Sequence, residues 1–193
     1  MPSDATVLGF DTAGPWIAAA VVRGDALLAG RHVALPKGQG EALMPLLQEV
    51  LAEAGTGWRD LDALGVGTGP GNFTGIRIAT AAARGLALGL SIPAVGVDRF
   101  EALALDGPDL PVAVAALRGQ VWVRHPGGVP ALADAVEGAV IGEGGIAPAW
   151  PLAVAIARLA AERFRMPQPR PAPLYLREAD AAPPSDRPPA LID

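Results

Sequence analysis

Cysteine is missing from all 193 residues, which excludes disulfides, thiolate metal sites and a cysteine nucleophile. Lysine occurs once, at Lys37, the arginines are scattered, and the formal net charge is −5. A chain that holds RNA by itself normally carries a basic face. Autonomous nucleic-acid binding is therefore not expected, while a patch shared with another subunit stays open. No segment reaches the roughly 18 uninterrupted apolar residues that span a bilayer. The start, MPSDATVLGFD, has neither the basic region nor the apolar core of a targeting segment. A cytoplasmic protein without membrane association is expected. Histidine is limited to His32 and His125, far apart on predicted strands. A tight transition-metal site draws three or four convergent ligands, so no metal site is assigned. With no G-x-S-x-G motif either, no catalytic residue is assigned.

What is abundant is small and apolar. Half of the residues are hydrophobic (51%), charged residues make up 18% and aromatics only 5%. The length suits one sizeable domain or two small ones, and the apolar fraction is high for a chain that stays alone.

The most informative stretch is Gly65 to Ala79, GVGTGPGNFTGIRIA. An apolar strand pattern feeds a loop holding Gly67, Gly69, Pro70, Gly71 and Gly75, and a helical pattern opens at Ile76. This arrangement points backbone N–H groups at an anion or at another backbone. It is no Walker A loop, because no Lys-Ser or Lys-Thr closes it. Two readings stand: the amides cradle phosphate, or the glycines let the turn close tightly. The missing lysine favours the second. Asn72, Thr74 and Arg77 remain candidates for a nucleotide shared across a subunit boundary, and Phe73 is expected to plug the loop into the core.

Along the chain, Thr6 to Phe10, Trp16 to Arg23 and Ala26 to Leu35 read as an antiparallel meander, with Gly24-Asp25 as a hairpin joint. Leu43, Leu46, Leu47, Val50, Leu51 and Ala54 recur at three-and-four spacing, which predicts an amphipathic helix over 40–54. A second helix is predicted over 76–90. Only Arg77, Thr80 and Arg84 are polar in it, and Ala81, Gly85 and Gly89 recur every fourth residue. Such a helix is covered on more than one side, either by its own domain or by a second subunit. Pro93 to Val97 reads as a strand, with Asp98 capping a short helix over 99–105. A composition break at Asp106-Gly107-Pro108 precedes a hairpin, 112–117 and 120–124, turning at Arg118-Gly119. Residues 129–145 show little pattern, 149–164 read as a helix, and the proline-rich segment from Met166 is extended, with 174–177 docking as a last short strand. Disorder is expected beyond Ala181. The element order predicts an α/β protein with a mixed sheet and helices on both faces.

At Gly67 to Ile78, preceded by Leu8-Gly9-Phe10-Asp11-Thr12-Ala13, the chain resembles the bacterial tRNA threonylcarbamoyladenosine biosynthesis family TsaB, also called YeaZ. The likeness continues through EALMPLLQEV (41–50), Arg84-Gly85-Leu86-Ala87, IPAVGV (92–97) and Pro173-Leu174-Tyr175-Leu176-Arg177. It implies the actin-like, Hsp70-like ATPase (ribonuclease H-like) fold. Residues 1–106 would form the partner-binding domain, 107–181 a shortened second domain and 182–193 a disordered tail. It also implies a non-catalytic partner of the transferase subunit TsaD. With the ATPase TsaE, the pair forms N6-threonylcarbamoyladenosine at position 37 of tRNAs reading codons that begin with A. On this resemblance, contact with tRNA is made only through the complex, and pairing of the chain with itself is expected in isolation. The partner-binding residues carried over are Leu43, Leu46, Leu47, Val50, Arg77, Ala81, Arg84, Gly85, Leu88 and Gly89. Departures are Gln39-Gly40 before the first helix, Ala115 to Gln120 in place of a more charged hairpin, and the short region after Gly107.

Asp11 ends the first strand. In active members of the fold an acid there works near Mg²⁺ and phosphate; alternatively it bonds the backbone of Thr12 and Ala13. Asp11, Thr12, Gly69, Gly71, Asn72 and Thr74 are the nucleotide or phosphate candidates. No cofactor is required, and ATP or ADP would sit at a subunit interface. Three functions compete: a scaffold for the transferase, an ATP-binding kinase or hydrolase of the actin-like fold, and a self-standing homodimer.

Overall fold

In a computed structural model, residues 4–176 are described. The chain opens with β1 (Thr6–Asp11), β2 (Trp16–Arg23) and β3 (Ala26–Ala34), followed by α1 (Gln39–Glu53), β4 (Ala63–Gly67), α2 (Phe73–Leu90), β5 (Ala94–Val97) and α3 (Arg99–Ala104). Then come β6 (Val112–Ala115), β7 (Val121–Arg124), β8 (Ala131–Ala133), β9 (Ile141–Gly142) and α4 (Leu152–Arg163). The first sheet runs β3-β2-β1-β4-β5 and the second β8-β7-β6-β9. The meander β1–β3 is antiparallel, and β4 and β5 add in parallel beside β1. This is the mixed α/β sheet with helices on both faces that the element order predicts.

Alternation along β1 decides which helix meets which face. Leu8 and Phe10 point to the side where α1 and α2 lie, and join Leu43, Leu47, Val50, Leu64, Val66, Ala79 and Ala83 in one core. Val7 points the other way, into a core shared with Val95, Val97 and the apolar side of α4. Glycines set how close α4 comes. A β-carbon on Gly9 would stand 2.5 Å from the Ala153 carbonyl, and one on Gly65 would stand 2.8 Å from the Ile156 carbonyl. The helix answers with Ala153, Ala157 and Ala160, all buried.

The expected boundary after residue 106 separates the two sheets, but α4, which follows the second sheet, covers the back of the first one. A third core of Phe100, Leu103, Val112, Val114 and Ile141 ties α3 to the second sheet. The patternless stretch 129–145 holds β8 and β9, which are only three and two residues long. The segment expected to dock as a strand at 174–177 forms no strand over 174–176. Arg177, the remainder of 177–181 and the tail over 182–193 lie outside the described residues.

Among the described residues no helix is long and apolar enough to cross a membrane.

Candidate functional site

Two places bring the predicted residues together: the end of β1 facing the glycine loop, and the outer side of α2.

At the first, Asp11 is 1% exposed. Its Oδ1 accepts from the Ala13 amide at 2.9 Å and from the Trp16 indole N–H at 3.2 Å. Its Oδ2 has no hydrogen-bond partner among the described residues and lies over Gly67. The half-buried Arg99, first residue of α3, is the nearest counter-charge. Its guanidinium lies 4.9 Å over the Trp16 ring, and its Nε is likewise unpartnered. Burial pushes the Asp11 carboxyl above its ordinary value, against the opposing pull of Arg99 and of the Ala13 and Trp16 hydrogen bonds. Burial also pushes Arg99 down, opposed by Asp11 and then Glu143. The backbone-bonding reading of Asp11 therefore describes Oδ1, and the loose end is Oδ2.

The glycine loop closes onto the turn after β1. A side chain on Gly71 would strike the Ala13 carbonyl, and one on Gly75 the Thr12 carbonyl. In their absence the Asn72 amide donates to the Ala13 carbonyl at 2.6 Å, and the Thr12 hydroxyl donates to the Gly75 carbonyl at 2.6 Å. Asn72 caps α2, its Oδ1 accepting from the Gly75 amide at 2.8 Å. Gly69, with a φ of 95°, turns the chain beside Ile76. Each of these glycines lets one stretch of backbone approach another. Asp11, Thr12, Gly69, Gly71 and Asn72 thus converge, but around protein atoms. Thr74 is exposed and lines an open depression with Gly38, Gln39, Gly40, Glu41 and Ile78.

The second place corrects part of the partner assignment. Leu43, Leu46, Leu47 and Val50 are all buried in the chain's own core, facing Leu8, Phe10 and Leu64. The three-and-four spacing that reveals the helix marks its inward stripe, so these four are unavailable to a partner while the chain is folded. The outer side of α1 carries Glu41, Met44, Gln48, Glu49 and Glu53.

On α2 the assigned residues are outward. Ile76, Ala79, Thr80 and Ala83 turn to the sheet, while Arg77, Ala81, Arg84, Gly85, Leu88 and Gly89 are exposed. Leu88 is 83% exposed, and a β-carbon on Gly85 or Gly89 would meet nothing within 4 Å. Among the described residues, nothing lies within 4 Å of where β-carbons of Gly85 and Gly89 would stand, while Arg77 and Arg84 are reached by the segment around Pro171 and Tyr175.

Phe73 is a further correction. It is 45% exposed and stacked on Tyr175 at 5.1 Å between ring centroids, with the Arg77 guanidinium 3.6 Å over its ring. It opens α2 on the outer side, where the core gives it no room. The sequence signal was the i, i+4 spacing of Phe73 and Arg77; the Tyr175 contact, 102 residues from Phe73, left none. His32 lies beside Trp16 at 5.5 Å on β3, and His125 follows β7 in the other sheet.

The sheet order, the helices on its two faces and the closed strand–glycine loop–helix turn define an α/β protein of the actin-like, ribonuclease H-like class. YeaZ from Pseudomonas aeruginosa superposes with a TM-score of 0.55 at 27% identity, over 87% of this chain and 83% of that one. The sequence profile of TsaD, tRNA N6-adenosine threonylcarbamoyltransferase, matches residues 37–179. An uncharacterized protein of Mycobacterium tuberculosis is 37% identical over 92% of this chain and 94% of its own length. The tRNA threonylcarbamoyladenosine biosynthesis protein TsaB of Escherichia coli is 35% identical over 51% of this chain and 42% of its own length. The chain belongs to the TsaB (YeaZ) family.

Proposed function

We propose that the chain is the non-catalytic accessory subunit of a TsaD-type transferase. In this role it supports formation of N6-threonylcarbamoyladenosine at position 37 of tRNAs that read codons beginning with A. The observation that carries the reading is the outward stripe of α2. A glycine inside a helix costs about 1 kcal/mol against alanine, and Gly85 and Gly89 serve no contact among the described residues. An exposed leucine between them adds apolar surface. A close helix–helix seam with another chain uses both features.

In this reading the transferase chemistry belongs to the TsaD subunit. TsaE joins the pair, tRNA is touched only through the complex, and the setting is the cytoplasm. The docking role requires no cofactor; ATP or ADP, where bound, lies at a boundary between subunits. In isolation the same helix pair serves a homodimer.

The test is co-elution of the full chain with the TsaD-family subunit of its own organism on size exclusion. Gly85→Leu should abolish co-elution while the variant stays folded. Overpacking a close seam costs about 1–3 kcal/mol, roughly a 5- to 150-fold loss of affinity. Unchanged pairing by that variant removes α2 from the contact. Robust Mg²⁺-dependent ATP turnover by the isolated chain would instead favour a kinase or hydrolase.

A further inference from the structure

The proline-rich segment after α4 does not wander off. Pro171 is buried over Gly96, 3.4 Å from where a β-carbon of that glycine would stand. The Leu174 amide donates to the Thr68 carbonyl at 2.8 Å. Two arginines of α2 then reach this strap. Arg84 donates through Nε to the Pro171 carbonyl at 2.7 Å, and Arg77 donates through Nε to the Tyr175 hydroxyl at 2.7 Å. Tyr175 is 44% exposed and lies on Phe73 at the N-terminal end of the same stripe that runs through Arg77, Ala81, Arg84 and Gly85 to Leu88.

Two features of this arrangement point outward. Within α2 there is no acidic residue, and among the described residues neither Arg77 nor Arg84 pairs with a carboxylate. Each guanidinium is steadied through Nε, and its two terminal nitrogens have no acceptor among the described residues. That is the fork that binds a carboxylate in bidentate fashion. The paired rings of Phe73 and Tyr175 are already ordered by each other and by Arg77, so little further freedom is lost on binding. Tyrosine and arginine in such a setting are the residue types that dominate interface energetics.

We propose that the strap and α2 form one composite docking surface. Tyr175 and Phe73 are its aromatic anchor, and Arg77 and Arg84 its two charge-recognition points. The occupant is a helix of a partner protein that carries apolar residues along the stripe and carboxylates opposite the two arginines. The inference rests on the accessory-subunit reading and adds to it a binding role for the C-terminal strap.

Nucleic acid fits this surface poorly. The net charge is −5, the neighbouring α1 presents Glu41, Glu49 and Glu53, and the middle of the stripe is Ala81, Gly85 and Leu88. A second copy, the pairing proposed for the isolated chain, matches the two arginines less well than such a helix. It would offer the acidic side of α1, where Arg31 already engages both Glu49 and Glu53.

The experiment measures the affinity of the full chain for the TsaD-family subunit of the same organism. Wild type is compared with Tyr175→Ala, Tyr175→Phe, Arg77→Glu and Gly85→Leu, with hydrogen exchange on the wild-type complex. Tyr175→Ala should weaken binding roughly 10- to 100-fold, the range of a buried aromatic anchor. Tyr175→Phe, which keeps the stack, should lose only a few-fold. Arg77→Glu should weaken binding strongly and lessen the loss of affinity on adding salt. The amides of Ala172, Leu174, Tyr175 and Leu176 should gain protection together with those of α2. If Gly85→Leu fails to bind while Tyr175→Ala and Arg77→Glu bind as wild type, the strap is no part of the surface and the inference falls alone. Unchanged exchange over 171–176 in the complex has the same meaning. If wild type does not bind at all, the functional reading falls and takes the inference with it. Binding of tRNA by the isolated chain that Tyr175→Ala destroys, with TsaD affinity intact, would overturn it in favour of a base-stacking face.

Discussion

The Oδ2 of Asp11, unpartnered among the described residues, lies so close to Gly67 that a methyl group at position 67 would occupy the same space. A buried carboxylate oxygen is held there by a strand position without a side chain. Gly67→Ala should therefore destabilise the fold by about 1–3 kcal/mol, the usual result of overpacking. To make room, the carboxylate must turn away from the Ala13 amide and the Trp16 indole. The check is a double-mutant cycle in urea: removing the carboxylate with Asp11→Ala should recover part of the loss, with a coupling of about 0.5–3 kcal/mol. Additive effects of the two substitutions would mean that the two positions do not share this space.

The same carboxyl predicts a pH dependence. Burial raises its folded-state pKa above the ordinary value, despite Arg99 on α3, Trp16 on β2 and His32 on β3. The folded chain then holds the Asp11 proton more tightly than the unfolded chain. The corresponding stability is fully present below the ordinary carboxylate pKa and is lost as pH rises through the raised folded value. Asp11→Asn lacks this titration. The stability of Asp11→Asn relative to wild type should climb as pH rises above the ordinary carboxylate value and level off once it passes the raised folded value. Urea midpoints of both proteins across that range give the difference directly. A flat difference would mean that Asp11 titrates alike in folded and unfolded chains.

Much of this was legible in the sequence, for physical reasons. α1 carries its period openly because it buries one regular stripe, while β1, β2 and α4 show as apolar runs because they are covered on more than one side. The readings failed where one signal has two consequences. The leucine stripe of α1 shows that something is covered, but not by what. Leu43 and Leu47 meet this chain's own Leu8 and Phe10, and a 3.6-residue period is the same for either partner. The strap was legible as an extended, docking segment, but its contacts with α2 were not, for the opposite reason. Arg84 to Pro171 and Arg77 to Tyr175 join positions 87 and 98 residues apart, and an extended proline-rich segment has no period to betray its contact. The glycine loop was legible in outline: the missing lysine spoke for tight closure, and Gly71 and Gly75 do approach the Ala13 and Thr12 carbonyls. The pairing of Asp11 Oδ2 with Gly67 depends on two strands being neighbours, which no local pattern encodes.

The two sides of the α1–α2 layer should separate stability from binding. Leu47 is fully buried, and Leu47→Ala should cost about 2–5 kcal/mol of folding stability, transfer and cavity terms together. Leu88 is 83% exposed, and Leu88→Ala should move stability by no more than about 0.5 kcal/mol while weakening affinity for the TsaD-family subunit. Thermal unfolding and co-elution, measured on both variants, decide this. A Leu88→Ala variant that melts well below wild type would show that Leu88 is covered by its own chain.

Glycines provide the sharpest contrast, because the same substitution should act with opposite sign at two positions. At Gly65, in the middle of β4, an added methyl would stand 2.8 Å from the Ile156 carbonyl and 2.9 Å from the Ala160 β-carbon. Gly65→Ala must lift α4 off the sheet and should destabilise by about 1–3 kcal/mol. At Gly85 the methyl meets nothing among the described residues, and alanine is the better helix former by about 1 kcal/mol. Gly85→Ala should raise the stability of the isolated chain by about that amount, roughly 2–4 °C in melting temperature for a chain of this size. The same methyl would stand in a close seam with a partner, so affinity should fall as stability rises. Calorimetry on the isolated chain and titration with the TsaD-family subunit read the two quantities separately. A Gly85→Ala variant that is both more stable and equally tight in binding would leave the glycine without a role at the contact.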